Sequence, residues 1–214
     1  MAENPQDHIV IGVASRPHPA ETVNGDAYAV HWWNGLCRIA VIDGLGHGKD
    51  AAAASARAVE VLAAHPELDP AEALRRCHAA LAGTRGAAMS VARIDAARHE
   101  LVYAGIGNVE ARIWQRGKHE RLIVYRGIIG SAMRTVRPFT VQLADTWTFL
   151  MHSDGISTRA DLQAPGIPPA ADPTTLAEAV LQAFGRQHDD AMAVVAMSNG
   201  TVAAGPAHDA TTAI

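Results

Sequence analysis

Four acidic sites in this chain stand at the edges of apolar runs, where a carboxylate is held beside a loop and can do chemistry. They are Asp26 in NGDAY, Asp43 in VIDGLGHG, Asp154 in FLMHSDGIST, and the adjacent Asp189 and Asp190 in HDDAMAVVAM. Carboxylates that converge without enough cations repel one another and raise their own pKa values, unless a bound cation supplies the missing charge. Oxygen-only ligands select hard ions, so the set points to Mg²⁺ or Mn²⁺ rather than zinc. No HExxH and no paired Cys-His spacing occurs to suggest otherwise. A strand-end aspartate can simply cap a turn, which explains any one of these sites but explains four with difficulty.

The elements that must position these groups are legible in outline. Ile39 to Ile42 is a β-branched apolar run that ends at Asp43, followed by Gly44, Gly46 and Gly48 and then an Ala-rich helix from Lys49 to Ala64. The Asp43 loop is thus pinned between two regular elements. Asn34-Gly35 is a strong hairpin signal, so the strand Ala27 to Trp33 lies antiparallel to Cys37–Asp43 and brings Asp26 and Asp43 to one end of the sheet. His8 to Ala14 reads as an opening strand. Asp69-Pro70 and Asp172-Pro173 supply N-cap and N1 residues for two further helices, the last of which ends at Gly185.

From Ala87 the period is that of strands: Ala87–Asp95, Glu100–Gly105, Val109–Gln115, Arg121–Tyr125, Thr140–Leu143 and Trp147–His152, with a last strand over Ala191–Met197. Short connections make a run of meander hairpins the economical arrangement. The fold class expected is α+β: two mainly antiparallel sheets packed face to face with helices outside, because so many strands over so few helices are too many for one open sheet. The expected organisation is one domain over residues 1–198 and a poorly ordered tail over 199–214.

Composition excludes several classes. The chain has 214 residues, 49% hydrophobic and 19% charged, with a formal net charge of -4 and no basic run. It lacks the electrostatic footprint of a nucleic-acid binder. Cys37 and Cys77 have no CxxC spacing and read as small buried hydrophobes. No apolar stretch reaches the length of a membrane span, and the start of the chain does not resemble a signal peptide, so a cytoplasmic location is expected.

The order GD, DGLGHG, SDGIST, DDAMAVV resembles the metal-dependent PP2C-type (PPM) protein phosphatases, in the branch typified by the sporulation phosphatase SpoIIE and the stressosome phosphatase RsbX. The resemblance runs from about Ile9 to Met197, and the length favours the RsbX-like kind. It implies a PP2C-like sandwich in which Asp43 bridges two divalent metal ions and the Gly44 carbonyl helps hold the second. Asp154 and Asp189 would complete the first site and Asp26 would serve the second through water; whether Asp189 or Asp190 is the ligand stays open. The implied activity is hydrolysis of phosphoserine or phosphothreonine on phosphorylated STAS-domain regulators of the RsbS/RsbR kind. Two departures from the family pattern stand out. Leu45 occupies the place of the histidine in DGHG, so a general-acid role for His47 is not inherited. The substrate-phosphate arginine lacks a clear match, with Arg16 the candidate.

Two metal ions can activate water and polarise a phosphate monoester without a protein nucleophile. That suits a chain in which Ser153 and Ser157 flank Asp154 without an elbow motif. The segment Gly127–Pro138 is expected to be mobile, with Arg126, Arg134 and Arg137 meeting an acidic phosphoprotein. The competing reading is a catalytically silent module on the same fold that docks regulatory proteins, and keeping every aspartate argues against it. A nucleotide-using enzyme is weaker still, since no GxxxxGK occurs, and the 11 histidines show no ligand spacing.

Overall fold

The computed structural model describes residues 8–134, 136–169 and 171–199. Among these, ten strands and three helices follow in the order β1 (Ile9–Arg16), β2 (Asp26–Trp33), β3 (Leu36–Gly44), α1 (Lys49–Ala64), α2 (Pro70–Ala80), β4 (Ala87–Asp95), β5 (Glu100–Ile106), β6 (Glu110–Gln115), β7 (Lys118–Arg121), β8 (Phe139–Gln142), β9 (Trp147–His152), α3 (Pro173–Phe184) and β10 (Ala191–Ser198). They form two five-stranded antiparallel sheets, ordered β1-β10-β9-β6-β7 and β2-β3-β4-β5-β8. The two-sheet sandwich with helices outside is the expected one. The tail expected over 199–214 falls, beyond Asn199, outside the described residues.

Three apolar layers explain the arrangement. Between the sheets lie Ile39, Val41, Ile94, Tyr103, Ile113, Phe149 and Val194. Outside the second sheet, Ala54, Ala58 and Leu62 of α1 and Leu74 and Cys77 of α2 cover Ala40, Ile42, Met89 and Val91. Outside the first, Leu176, Ala177 and Val180 of α3 cover Leu150, Ala193 and Val195. β3 is therefore covered on both faces, which is why its sequence is a continuous apolar run rather than an alternating one. Both Asp-Pro signals mark helix starts: Asp69 accepts the Glu72 amide, and Asp172 accepts those of Thr174 and Thr175. Cys37 and Cys77 are buried free thiols, and burial pushes both up to about 12, so neither ionises near neutrality.

The meander expectation holds only in part. Hairpins join β2 to β3, β4 to β5 and β6 to β7, but the chain changes sheet between β5 and β6, between β7 and β8 and again between β8 and β9. β9 pairs with β6 and β10, not with β8. The strand expected at Arg121–Tyr125 instead lies at Lys118–Arg121. A two-residue turn at Arg116-Gly117, both at positive φ, sets Lys118 opposite Gln115 and so fixes the register. The apolar residues Leu122 to Val124 follow outside the named strands.

Candidate metal centre

The Asn34-Gly35 turn, with φ of 45° and 82°, closes the β2-β3 hairpin so that Trp33 faces Leu36. Counting along an antiparallel pair, Asp26 then falls directly opposite Asp43. In the other sheet, β9 ends at His152 just before Asp154, and its neighbour β10 begins just after Asp190. Both pairs of strand ends lie at one end of the sandwich, and the carboxylates feel one another across it. Asp26 is influenced by Asp190, Asp154 and Asp189, and Asp43 by Asp26, Asp154 and Asp189.

The electrostatics are those of carboxylates buried close together. Burial first, and then its acidic neighbours, push Asp43 up to about 9; its carboxyl also shares a hydrogen bond with Asp154. Burial pushes Asp26 up to about 7, with the Ser153 hydroxyl pulling the other way and Asp190, Asp154 and Asp189 adding to the rise. Asp189 is also raised, chiefly by burial and then by Asp154. Asp26, Asp43 and Asp190 each keep one buried oxygen, Oδ2, without a hydrogen-bond partner. Orphaned buried carboxylate oxygens are costly, and a divalent cation is the group that would satisfy several at once. The donor set is all oxygen and fits a hard ion. Among the described residues, no three acidic, imidazole or thiol groups are already closed into a coordination sphere.

The adjacent aspartates differ. Asp190 is 3% exposed and accepts the His18 amide on Oδ1 at 2.8 Å, tying down the loop after β1. Asp189 is half-buried and lies in the field of Asp154. Gly44 is buried, and its amide donates to the Gly25 carbonyl at 3.3 Å. Gly155 has no room for a side chain, since a Cβ there would lie 1.8 Å from the Asp190 carbonyl oxygen.

Several partners were not legible in the sequence. Asn108, in the loop before β6, donates Nδ2 to Asp154 Oδ2 at 2.6 Å. His47 bonds Glu21 Oε1 through Nδ1 at 2.7 Å and stacks on His18 with ring centroids 4.4 Å apart. Residues so far apart in sequence carry no local signal that they meet. Arg85 lies over the glycine loop, paired with Asp50 at 2.9 Å.

The expected arginines are dispersed. Arg16 ends β1 opposite Ala191 and donates to the Arg186 carbonyl. Arg134 and Arg137 are exposed, and no hydrogen bond or ion pair among the described residues joins them to the aspartates. Their segment, expected to be mobile, is tied to β4 by a reciprocal pair of hydrogen bonds between Ala87 and Ile129, 3.0 and 2.8 Å, and is closed on itself by a Gly127–Met133 bridge.

Comparison with known proteins agrees with this geometry. The chain is 23% identical over 152 residues to the phosphoserine phosphatase RsbX of Bacillus subtilis (strain 168), covering 71% of this chain and 76% of that one. A structure of RsbX in complex with magnesium superposes with a TM-score of 0.81 at 20% identity, covering 92% of this chain and 98% of that chain. A chain from a structure described as the bacterial stressosome, a modular system adapted to control secondary messenger signaling, gives 0.82 at 28% identity, covering 88% and 98%. The PP2C phosphatase domain of SpoIIE from Bacillus subtilis gives 0.71 at 19% identity, covering 88% and 62%. The family described as Stage II sporulation protein E (SpoIIE) matches residues 34–199. With its aspartates gathered at one end of a PP2C-type sandwich, this chain belongs to the SpoIIE family of PP2C-type protein phosphatases.

Proposed function

We propose that this chain is a metal-dependent phosphatase acting in the cytoplasm on phosphoserine or phosphothreonine of a STAS-domain regulator in stressosome or partner-switching signalling. The observation that carries the reading is the set of buried, partnerless oxygens on Asp26, Asp43 and Asp190, at a site where burial and then neighbouring carboxylates push Asp26 and Asp43 toward protonation. When bound, two Mg²⁺ or Mn²⁺ ions supply Lewis acidity toward phosphate oxygens and water. Asp43 would bridge them, with the Gly44 carbonyl, Asp26, Asp154 and Asp189 as the remaining holders. Asp190 anchors the loop after β1 through Oδ1 and would offer its partnerless Oδ2 to the site.

The chain's own residues then position the reaction. Asn108 fixes the rotation of the Asp154 carboxylate by holding one oxygen. The Ser153 hydroxyl accepts the Met192 amide at 2.9 Å and so locks the β9 and β10 ends together beside Asp26. The named relatives support the substrate class: one is a phosphoserine phosphatase and another is a chain from a stressosome structure.

The test is hydrolysis of p-nitrophenyl phosphate and of a phosphorylated STAS protein by the purified chain. Turnover is expected with Mn²⁺ or Mg²⁺ and should stop with chelator. Undiminished turnover in chelator would end the two-metal reading. Equal catalytic efficiency on the STAS protein and an unrelated phosphopeptide would end the substrate assignment while leaving the chemistry intact.

A further inference from the structure

Next to the aspartates lies a second polar cluster that the chemistry above does not use. Glu110 opens β6 opposite His152 of β9, and Arg112 follows on the same face. Glu110 is 6% exposed and His152 fully buried. Glu110 Oε1 is in an ion pair with Arg121. Its other oxygen, Oε2, and His152 Nε2 face each other at 4.0 Å, and neither has a hydrogen-bond partner. His152 Nδ1 donates to the Ser153 carbonyl at 2.9 Å, so Nε2 is an acceptor.

Three guanidinium groups, those of Arg121, Arg112 and Arg186, act on Glu110. Among the described residues, Glu110 is the one carboxylate in an ion pair with any of them. Arg112 gives its Nη2 to the neutral Thr158 carbonyl. Arg186 donates its amide to the Gly155 carbonyl at 2.7 Å, which sets it beside the Asp154 loop. Around Glu110 the guanidinium groups outnumber the one carboxylate that pairs with them. Over it opens a cleft of about 330 Å³ lined by Asn108, Glu110, Arg121 and the segment Leu122–Val124. Asn108, which holds Asp154, is a wall of both sites.

We propose that this cleft is the specificity subsite for the residues flanking the phosphorylated serine or threonine, and that Arg121, with Arg186, selects an acidic side chain there. The proposal rests on the phosphatase reading. An extended peptide advances about 3.3 Å per residue, so with a shared wall the cleft receives a residue one to three positions from the phosphate. Ile123, 59% exposed beside Arg121, supplies apolar surface for that segment. Glu110 is a positioning residue: it holds the Arg121 fork in place from beneath, and a planar guanidinium so held pairs with a carboxylate in a defined direction.

Fluorescent phosphopeptides with glutamates flanking phosphoserine, and the same peptides with alanines, test this by anisotropy in chelator, where no turnover intervenes. Wild type should bind the acidic peptide about 10-fold more tightly, a preference that falls with added salt. In Arg121→Gln combined with Arg186→Gln the preference should drop to about 2-fold. Because Arg121→Gln alone leaves Glu110 buried and unpaired, Glu110→Gln/Arg121→Gln removes both halves of the pair and must lose the preference too. Equal binding of the two peptides by wild type, or an acidic preference that survives in both variants, would overturn the subsite. Discrimination in binding without metal-dependent turnover of p-nitrophenyl phosphate would instead retain the acidic-segment cleft and reject the phosphatase reading.

Discussion

Replacing Asp43 with asparagine should make the metal-free protein more stable while removing its response to metal. The reason is the cost of the carboxylate. An aspartate with an ordinary pKa of 3.8 is pushed to about 9 in the fold, chiefly by burial and then by Asp26, Asp154 and Asp189. The native state therefore binds a proton that the unfolded chain releases, so stability is fully present below pH 3.8 and is lost as pH rises toward 9. At pH 7 the loss is roughly 4 kcal/mol, from about 1.4 kcal/mol for each pH unit above 3.8. Asp26, itself raised to about 7, shares the repulsion. Assigning about half, roughly 2 kcal/mol, to Asp43 alone allows for the coupled titration. For a chain of this size that is a rise of about 4–8 °C in Tm for Asp43→Asn without metal. The gain should vanish near pH 4 and grow toward pH 9. With Mn²⁺ at about 100 times its Kd, wild type should gain roughly 2.7 kcal/mol and the variant little. Differential scanning fluorimetry across pH, with and without metal, reads all of this. A variant whose Tm tracks wild type in parallel at every pH, or which still responds fully to Mn²⁺, would refute the argument.

The adjacent aspartates should separate by the same measurements: Asp189→Asn costs about 10–100-fold in metal affinity with little change in metal-free Tm. Asp190→Ala instead lowers metal-free Tm by roughly 3–6 °C through loss of the His18 bond, and the reverse pattern would exchange their roles. Arg38 is buried and donates to the Leu62 and His65 carbonyls at the end of α1, the latter at 2.6 Å. Arg38→Met, which removes a charged donor from both carbonyls and leaves them only the His65 amide at 3.2 Å and the Leu68 amide at 3.5 Å, should cost about 2–3 kcal/mol, seen as a lower Tm by thermal denaturation; an unchanged Tm would show that those two amides suffice.

What could be read from the sequence was what short-range chemistry sets. A two-residue turn fixes the β2-β3 register, so the meeting of Asp26 and Asp43 follows from Asn34-Gly35 alone. The two Asp-Pro pairs fix the starts of α2 and α3 for the same reason. By contrast, the assignment of β8 to one sheet and β9 to the other depends on pairings across distant parts of the chain, which apolar periodicity does not encode. At β7 two local signals disagreed: the apolar run Leu122–Tyr125 suggests a strand, while the Arg116-Gly117 turn places the pairing on the charged residues before it. The turn wins because it closes the ladder from its tight end, and the apolar residues are left to line the cleft beside Asn108. Nothing near Asn108 in sequence reveals that it faces Asp154.

The end of the sandwich that holds these charges is also where the backbone can give least. Asp154 and Asp190 hang from β9 and β10, whose ladder runs from Ala193–His152 to Met197–Thr148 and is backed by α3. Just beyond it, the Gly155 Cα approaches the Asp190 carbonyl so closely that any side chain would force the strand ends apart. Across the sandwich, Asp43 and Asp26 are fixed by a hairpin register that a one-residue slip would turn inside out. The burial of these carboxylates and the repulsion among them therefore cannot be relieved by spreading the strands, and they emerge as raised pKa values and partnerless oxygens instead. A site that cannot relieve its own charge by moving has two routes left, protonation or a cation. The first is available to Asp43 near neutral pH, so metal and proton compete there, and metal affinity should rise with pH across the interval up to about 9.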